Sequence, residues 1–367
     1  MKIGIYTIHA CNNFGAVLQA YATATYLRNQ GYDSELVNIM SKDQEKRCRY
    51  IGKWTSLKGI ISNILSSVNP KIHAKSKNFT EFRKRLPLSK RYYCNSEYVS
   101  NPINYDLHLV GSDQVWNVER GLGDCFYYLP FLNNTTRKAS FASSFGNVQA
   151  AQKYKDEIKA MLSTFSSISV REEDACEFLC NDCNLKAVNV LDPTFLLSSR
   201  EWDEISGAEA IIKSKYILYY GFDHSEECGD ILKEIKKLMG FPVIGISVGT
   251  RSPYHFDCFY QEAGPIEFLN LIKNASFVLT SSFHGMALSL NFRKQFIVIK
   301  HGTRMSRMES TLSQFGLKDR IIVNKSELHK MLKVQIDYDS HNSVIDARIR
   351  NSQEQIIQIV KSQNIYE

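Results

Sequence analysis

The sequence predicts an α/β protein of two doubly wound, Rossmann-like domains that face each other across a cleft. Three observations lead there. The chain has 367 residues, a length suited to two domains. Short apolar, β-branched runs alternate with helix-length amphipathic stretches, which is the pattern of parallel sheets covered by helices. That alternation pauses and restarts once, between Thr194 and Lys213. The first domain is accordingly placed at 1–205, the second at 206–340, and a closing helix at 341–367.

Element by element, Ile3 to Thr7 reads as a strand, followed by the loop HACNNFG and a helix from about Ala16 to Asn29 that Gly31 ends. Leu36 to Ile39 reads as a second strand. After a long polar interval, YDLHLV, KASFAS, SSISV and KAVNV each read as strands. The second series runs KYILYYGF, a helix near Ile231 to Met239, FPVIGIS, a helix near Ile266 to Ile272, FVLT, a helix after His284, and FIVIK. Neither a short-period repeat nor a low-complexity segment interrupts it.

Composition narrows the classes further. A hydrophobic share of 44% suits a globular protein with a sizeable core. The first residues, MKIGIYTI, carry no cleavage-site pattern, and no run of 18 apolar residues occurs. Nine cysteines, an odd number, do not form the paired framework of a secreted domain. A cytoplasmic location with reduced thiols follows as the expectation. Cys176, Cys180 and Cys183 are spaced C-x3-C-x2-C, which fits either three ligands of an iron–sulfur cluster or three small residues on one helix face. No metal or organic cofactor is otherwise indicated.

The net charge of +7 is local in origin, because residues 41–93 hold 14 Lys and Arg against 3 Asp and Glu. This stretch reads as a basic helical insertion. Within it, Leu57, Ile60, Ile61, Ile64, Leu65 and Val68 form one apolar helical stripe beside Lys53, Trp54 and Lys58. Residues 53–68 therefore suit either packing on the first domain or peripheral contact with an anionic membrane at its inner face. With no recognisable nucleic-acid module, nucleic acid is not an expected partner.

In open parallel sheets, ligands bind at the carboxyl ends of the strands. The polar residues that follow the predicted strands are Asn12, Asn13 and Gly15; Gly111, Ser112, Asp113, Gln114 and Asn117; Ser143, Ser144 and Gly146; Arg171 and Glu172; Asp192; and Ser281, Ser282 and His284. NNFG lacks the further glycines of a dinucleotide fingerprint and has no P-loop lysine. LVGSDQVWN delivers an acid, an amide and an aromatic wall together, although Asp113 can equally be a helix cap. Arg171 can fork two N–H bonds to a carboxylate or phosphate, or pair with a neighbouring glutamate.

Taken together, NNFG-x2-LQ-x-Y, VGSDQVWN, SFASSFG, SVREED, VLDPTFLL and TSSFHG resemble the polysaccharide pyruvyl transferase family over residues 1 to about 325. The resemblance implies a fold similar to two-domain, GT-B-like glycosyltransferases. It also implies phosphoenolpyruvate as donor, and a pyruvate ketal formed on a sugar of a surface polysaccharide or its lipid-linked precursor. Many members carry Arg-hydrophobic-His where this chain has Ser282, Phe283 and His284, so an arginine is missing there. Lys300, Arg304 or Arg307 can supply the charge instead.

That chemistry gives roles to the candidates. Adding an alcohol to phosphoenolpyruvate needs a proton on the methylene carbon, for which His284 is suited. Asp113 orients or deprotonates the sugar hydroxyl. Arg171, Ser281, Ser282, Lys300 and Arg304 are assigned to the donor, and Asn13, Gly15, Ser112, Gln114, Asn117 and Ser144 to the acceptor. A nucleotide-sugar glycosyltransferase and a non-catalytic sugar-binding protein share the architecture and remain as alternatives.

Overall fold

Two parallel sheets carry the molecule. The computed structural model describes residues 1–40, 69–119, 121–122, 125–223, 225–248, 254–300 and 305–362. The apolar run at the start of the chain forms β1 (Lys2–Tyr6). It lies between β2 (Asp33–Leu36) and β3 (Leu107–Val110), and β4 (Lys138–Ser140) extends the sheet in the order β2-β1-β3-β4. Ile3 sits opposite Ser34 on one side and Leu107 on the other. The short β5 (Ser169–Val170) and β6 (Val188–Asn189) pair with each other. Single bridges from Ala139 to Ser167 and from Ser143 to Val170 carry that ladder onto the edge of the first sheet.

The second sheet contains β7 (Ile217–Tyr220), β8 (Val243–Ile246), β9 (Cys258–Phe259), β10 (Phe277–Thr280), β11 (Phe296–Ile299) and β12 (Ile321–Ile322). All are parallel, in the order β12-β11-β10-β7-β8-β9. Counted within the domain, this is the doubly wound order 3-2-1-4-5-6, whose direction reverses between β7 and β10. Every residue of β3, β7, β8, β10 and β11 is buried, because helices cover both faces.

Four elements differ from the sequence reading. The second strand occupies Asp33–Leu36, not 36–39. Tertiary partners absorb its polar side chains: Ser34 Oγ donates to Ala24 O at 3.0 Å, and Glu35 accepts from Tyr105 Oη at 2.8 Å. Past Leu36 the chain instead bridges to Leu88 and Tyr92. The first helix starts at Phe14, two residues early, because the Asn13 side chain accepts from Ala16 N at 3.3 Å and caps it. β9 and β12, two residues each, are too short to carry a strand pattern in the sequence.

The domains share a core. Phe14, the first residue of the helix Phe14–Asn29, stacks on Phe268 with centroids 4.6 Å apart and meets Tyr220 edge-on at 5.6 Å. Phe79 and Phe82, from the helix Pro70–Arg83, join the same cluster. Polar clamps flank it: Asn78 Nδ2 donates to Glu262 O at 3.0 Å, and Lys75 Nζ donates to Val248 O at 2.8 Å and to Ser247 O. The helix Tyr338–Lys361 then runs back over the molecule. Its Ile345 enters the cluster with Phe296 and Phe315, whereas Ile356, Ile359 and Val360 pack with Ile3, Ile5 and Leu107. Each such side chain contributes about 1.5–3 kcal/mol when fully buried. The basic stretch 53–68 lies outside the described residues.

Candidate functional site

The switch point of the second sheet is tied by hydroxyl groups. Thr280 Oγ1 donates to Tyr220 O at 2.5 Å and accepts from Ser282 N at 3.0 Å, joining the ends of β10 and β7. Ser281 Oγ accepts from Phe222 N at 2.9 Å and Asp223 N at 3.2 Å. The helix Phe283–Asn291 starts immediately afterwards, so His284 stands inside its first turn rather than ahead of it. Gly285 lets this helix lie against β10, since a Cβ there would fall 2.3 Å from Thr280 Oγ1. His284 is thereby pushed across the seam. Its ring rests on Gly15 of the first domain, where a Cβ would fall 2.0 Å from Nδ1.

From the other side, the first domain brings three charged residues. Asp192 precedes a single turn at Pro193–Phe195, and its Oδ1 accepts from Thr194 N at 2.9 Å and Thr194 Oγ1 at 2.8 Å. Its Oδ2 accepts from Arg171 Nη1 at 2.7 Å and Ser112 Oγ at 3.1 Å, and lies 3.7 Å from His284 Nε2. Arg171 Nε reaches Glu172 Oε1 at 3.3 Å, and that oxygen also accepts from Ser144 Oγ at 2.6 Å. The Arg171 guanidinium sits 4.6 Å from the centre of the Phe283 ring, and Arg307 stands 6.0 Å from the same ring.

Burial sets the electrostatics of this cluster. By itself it would raise the Asp192 pKa; His284, Arg171 and the Thr194 N–H outweigh it and hold the carboxyl well below its usual range. Burial likewise opposes the charge on Arg171, and Glu172, Asp192 and Asp113 together overcome it, raising its pKa. Arg171 Nη2, Glu172 Oε2 and His284 Nε2 are buried without a hydrogen-bond partner among the described residues. Three orphaned polar atoms in one place are costly unless something binds there.

Asp113 takes the left-handed conformation, φ 70°, which costs a non-glycine residue about 1–3 kcal/mol. Its carbonyl accepts from Ser144 N at 3.2 Å, and its Oδ1 from Gln114 N at 2.9 Å. The carboxylate is close enough for its charge to act on Arg171 and Tyr220. Gln114 contacts Asn117 at 2.7 Å. With its amide turned, Gln114 accepts from Arg307 at 3.0 and 3.1 Å.

The structure thus gathers Gly15, Ser112, Asp113, Gln114, Asn117, Ser144, Arg171, Ser281, Ser282 and His284 around the switch point of the second sheet and that of the first, which lies between β1 and β3. Asn13 is spent as a helix cap. Lys300 points away, exposed and 3.5 Å from Glu309, and Arg304 lies outside the described residues. In the sequence Asp192 and Glu172 stand at strand ends without an assigned role; their signal is the pair of stretches VLDPTFLL and SVREED. The three cysteines do not share a helix face, because a π-helical turn at Phe178–Asp182 shifts the register. Cys176 and Cys180 both donate to Ala187 O, at 3.4 and 3.6 Å, while Cys183 turns to Lys155 O. Among the described residues, no group of three His, Cys, Asp or Glu is placed to hold a metal.

With the geometry in view, comparison with known proteins decides the family: the model for polysaccharide pyruvyl transferases matches residues 13–303. The chain belongs to that family. The matched span holds every residue of the buried cluster, and Arg307 lies just beyond it. No curated sequence matches the chain. Among solved structures, it is similar to the Methanocaldococcus jannaschii UDP-GlcNAc 2-epimerase in complex with UDP-GlcNAc and UDP (TM-score 0.58, 14% identity, covering 98% of this chain and 99% of that one). The Neisseria meningitidis UDP-GlcNAc 2-epimerase bound to UDP-GlcNAc is similar too (TM-score 0.57, 12% identity, 98% and 99%). So is the Rickettsia bellii UDP-N-acetylglucosamine 2-epimerase (TM-score 0.56, 11% identity, 100% and 97%). At such identities the likeness shows the fold alone, and the fold of this pyruvyl transferase family member is that of two Rossmann-like domains. No helix among its described residues is long and apolar enough to cross a membrane.

Proposed function

We propose that the protein moves the pyruvyl group of phosphoenolpyruvate onto a sugar of a surface polysaccharide or its lipid-linked precursor, forming a ketal. One observation carries the reading within the family: His284 stands at the second switch point, against Gly15 of the first domain and 3.7 Å from Asp192. Ketal formation needs a proton donor at such a seam. A first sugar hydroxyl bonds to the carbon bearing phosphate, losing its proton to Asp113 and from there to the departing phosphate, while the methylene carbon takes a proton from His284 to become methyl. Phosphate then leaves with its bonding pair, a second hydroxyl closes the ketal, and its proton returns to the imidazole. General acid–base help of this kind is worth about 10² to 10⁴ in rate.

The donor carries a carboxylate and a phosphate. Arg171 is closed on two sides by Asp192 and Glu172, so its orphaned Nη2 is the atom left for an anion. Arg307, held beside Phe283 and Gln114, takes the place expected of the arginine missing before His284. Asp113 orients the attacking hydroxyl from the first domain.

His284→Ala should abolish phosphate release from phosphoenolpyruvate in the presence of lipid-linked oligosaccharides, while donor binding stays within about tenfold. Full activity in that variant would end the assignment. The nearest rival, a nucleotide-sugar transferase, is favoured by the likeness to enzymes solved with UDP-GlcNAc. Thermal stabilisation by UDP and not by phosphoenolpyruvate would select it.

A further inference from the structure

An imidazole that moves a proton has two nitrogens, and only one can face the substrate. We infer that Asp192 is a positioning residue that fixes the neutral His284 ring in the Nε2–H form, leaving Nδ1, beside Gly15, as the atom that exchanges the proton. The inference deepens the proposed function and rests on it for the role of Nδ1. The tautomer itself follows from geometry alone.

The Asp192 carboxylate is immobile. Its side chain is fully buried, and four donors hold it: Thr194 N, Thr194 Oγ1, Arg171 Nη1 and Ser112 Oγ. Four is about the number of lone-pair sites a carboxylate has. It acts on His284 as a fixed negative charge, and the atom it faces is Nε2, 3.7 Å away and without a hydrogen-bond partner among the described residues. A lone pair on Nε2 would face a carboxylate oxygen, two acceptors against each other in a buried site. A hydrogen on Nε2 turns that repulsion into attraction. The 3.7 Å separation is longer than a hydrogen bond, as catalytic contacts often are before substrate arrives.

The seam fixes which nitrogen is left. Nδ1 and the ring carbons beside it are the atoms nearest the missing Cβ of Gly15, at the N-terminal turn of the helix Phe14–Asn29. Backbone N–H groups and the helix dipole there attract an anion. A substrate seated at that turn would meet Nδ1 rather than Nε2. Asp192 therefore acts through His284 and does not touch the reacting atoms.

The test is nitrogen NMR of protein labelled with ¹⁵N-histidine, at a pH where the ring is neutral, with the His284 signal assigned by its loss in His284→Gln. Wild-type protein should show His284 in the Nε2–H form with no ligand added. An Nδ1–H form, or an even mixture, overturns the inference and needs no variant to do so. Asp192→Asn keeps the shape and removes the charge. It should shift the tautomer balance and lower kcat by about 10² to 10⁴, the range that general acid–base catalysis contributes. An unchanged tautomer in a folded Asp192→Asn protein also overturns it. Because the spectrum requires neither donor nor acceptor, its outcome is independent of whether phosphoenolpyruvate is the substrate.

Discussion

Placing a single methyl group on Gly15 should change stability in opposite directions depending on whether His284 is present. A Cβ at Gly15 would lie 2.0 Å from Nδ1, 2.3 Å from Cγ and 2.5 Å from Cε1 of that one ring, the three nearest atoms. Carbon atoms are comfortable at about 3.5–4.0 Å, so the ring or the helix must retreat by more than about 1 Å. Overpacking of that size costs about 1–3 kcal/mol. In a His284→Ala background the obstacle is gone, and replacing a helical glycine by alanine should instead stabilise by up to about 1 kcal/mol. Urea denaturation of wild type, Gly15→Ala, His284→Ala and the double variant closes the cycle. The expected coupling between the two sites is therefore about 2–4 kcal/mol. Equal effects of Gly15→Ala in both backgrounds would refute the placement of the ring. In activity, a displacement of about 1 Å at a catalytic group can cost about 10²-fold, so Gly15→Ala alone should be nearly inactive although folded.

Other outcomes follow from charges at the seam. Burial pushes Lys75 down to about 7 from 10.5. Below pH 7 folded and unfolded chains both hold the proton and the burial cost, about 5 kcal/mol, is present in full. Between pH 7 and 10.5 only the unfolded chain holds it, so stability should rise with pH across that window. Lys75→Met should lose this rise in thermal melts, and parallel curves for the two proteins would contradict the assignment. Arg307→Ala should raise KM for phosphoenolpyruvate about 10- to 100-fold, the loss of one or two charged hydrogen bonds. Lys300→Ala should leave KM within about twofold, because Lys300 is exposed and paired with Glu309; the reverse ranking would move the anion site.

The strand and helix order was legible because fully buried parallel strands announce themselves as continuous apolar runs, as in FVLT and FIVIK. β2 was displaced because Ser34 and Glu35 look unlike strand residues until Ala24, Tyr105 and Lys2 are beside them. His284, Arg171 and Asp113 could be picked out as polar residues at strand ends. What no spacing reveals is that Asp192 lies between Arg171 and His284, since 21 and 92 residues of chain separate these partners and only the two folded sheets bring them together. Lys300 and Arg307 were indistinguishable by sequence for a similar reason: the helix Ser306–Gln314 turns one inward, and Glu309 holds the other at the surface.

The helix Tyr338–Lys361 ties the first residues of the chain to some of the last. A ribosome adds about 5–20 residues per second, so roughly 20–70 seconds pass between the appearance of β1 and that of Ile356, Ile359 and Val360. Throughout that interval the apolar face of the opening sheet is incomplete. The nascent protein waits with part of its oldest core uncovered, and completion of both halves falls to the same late event.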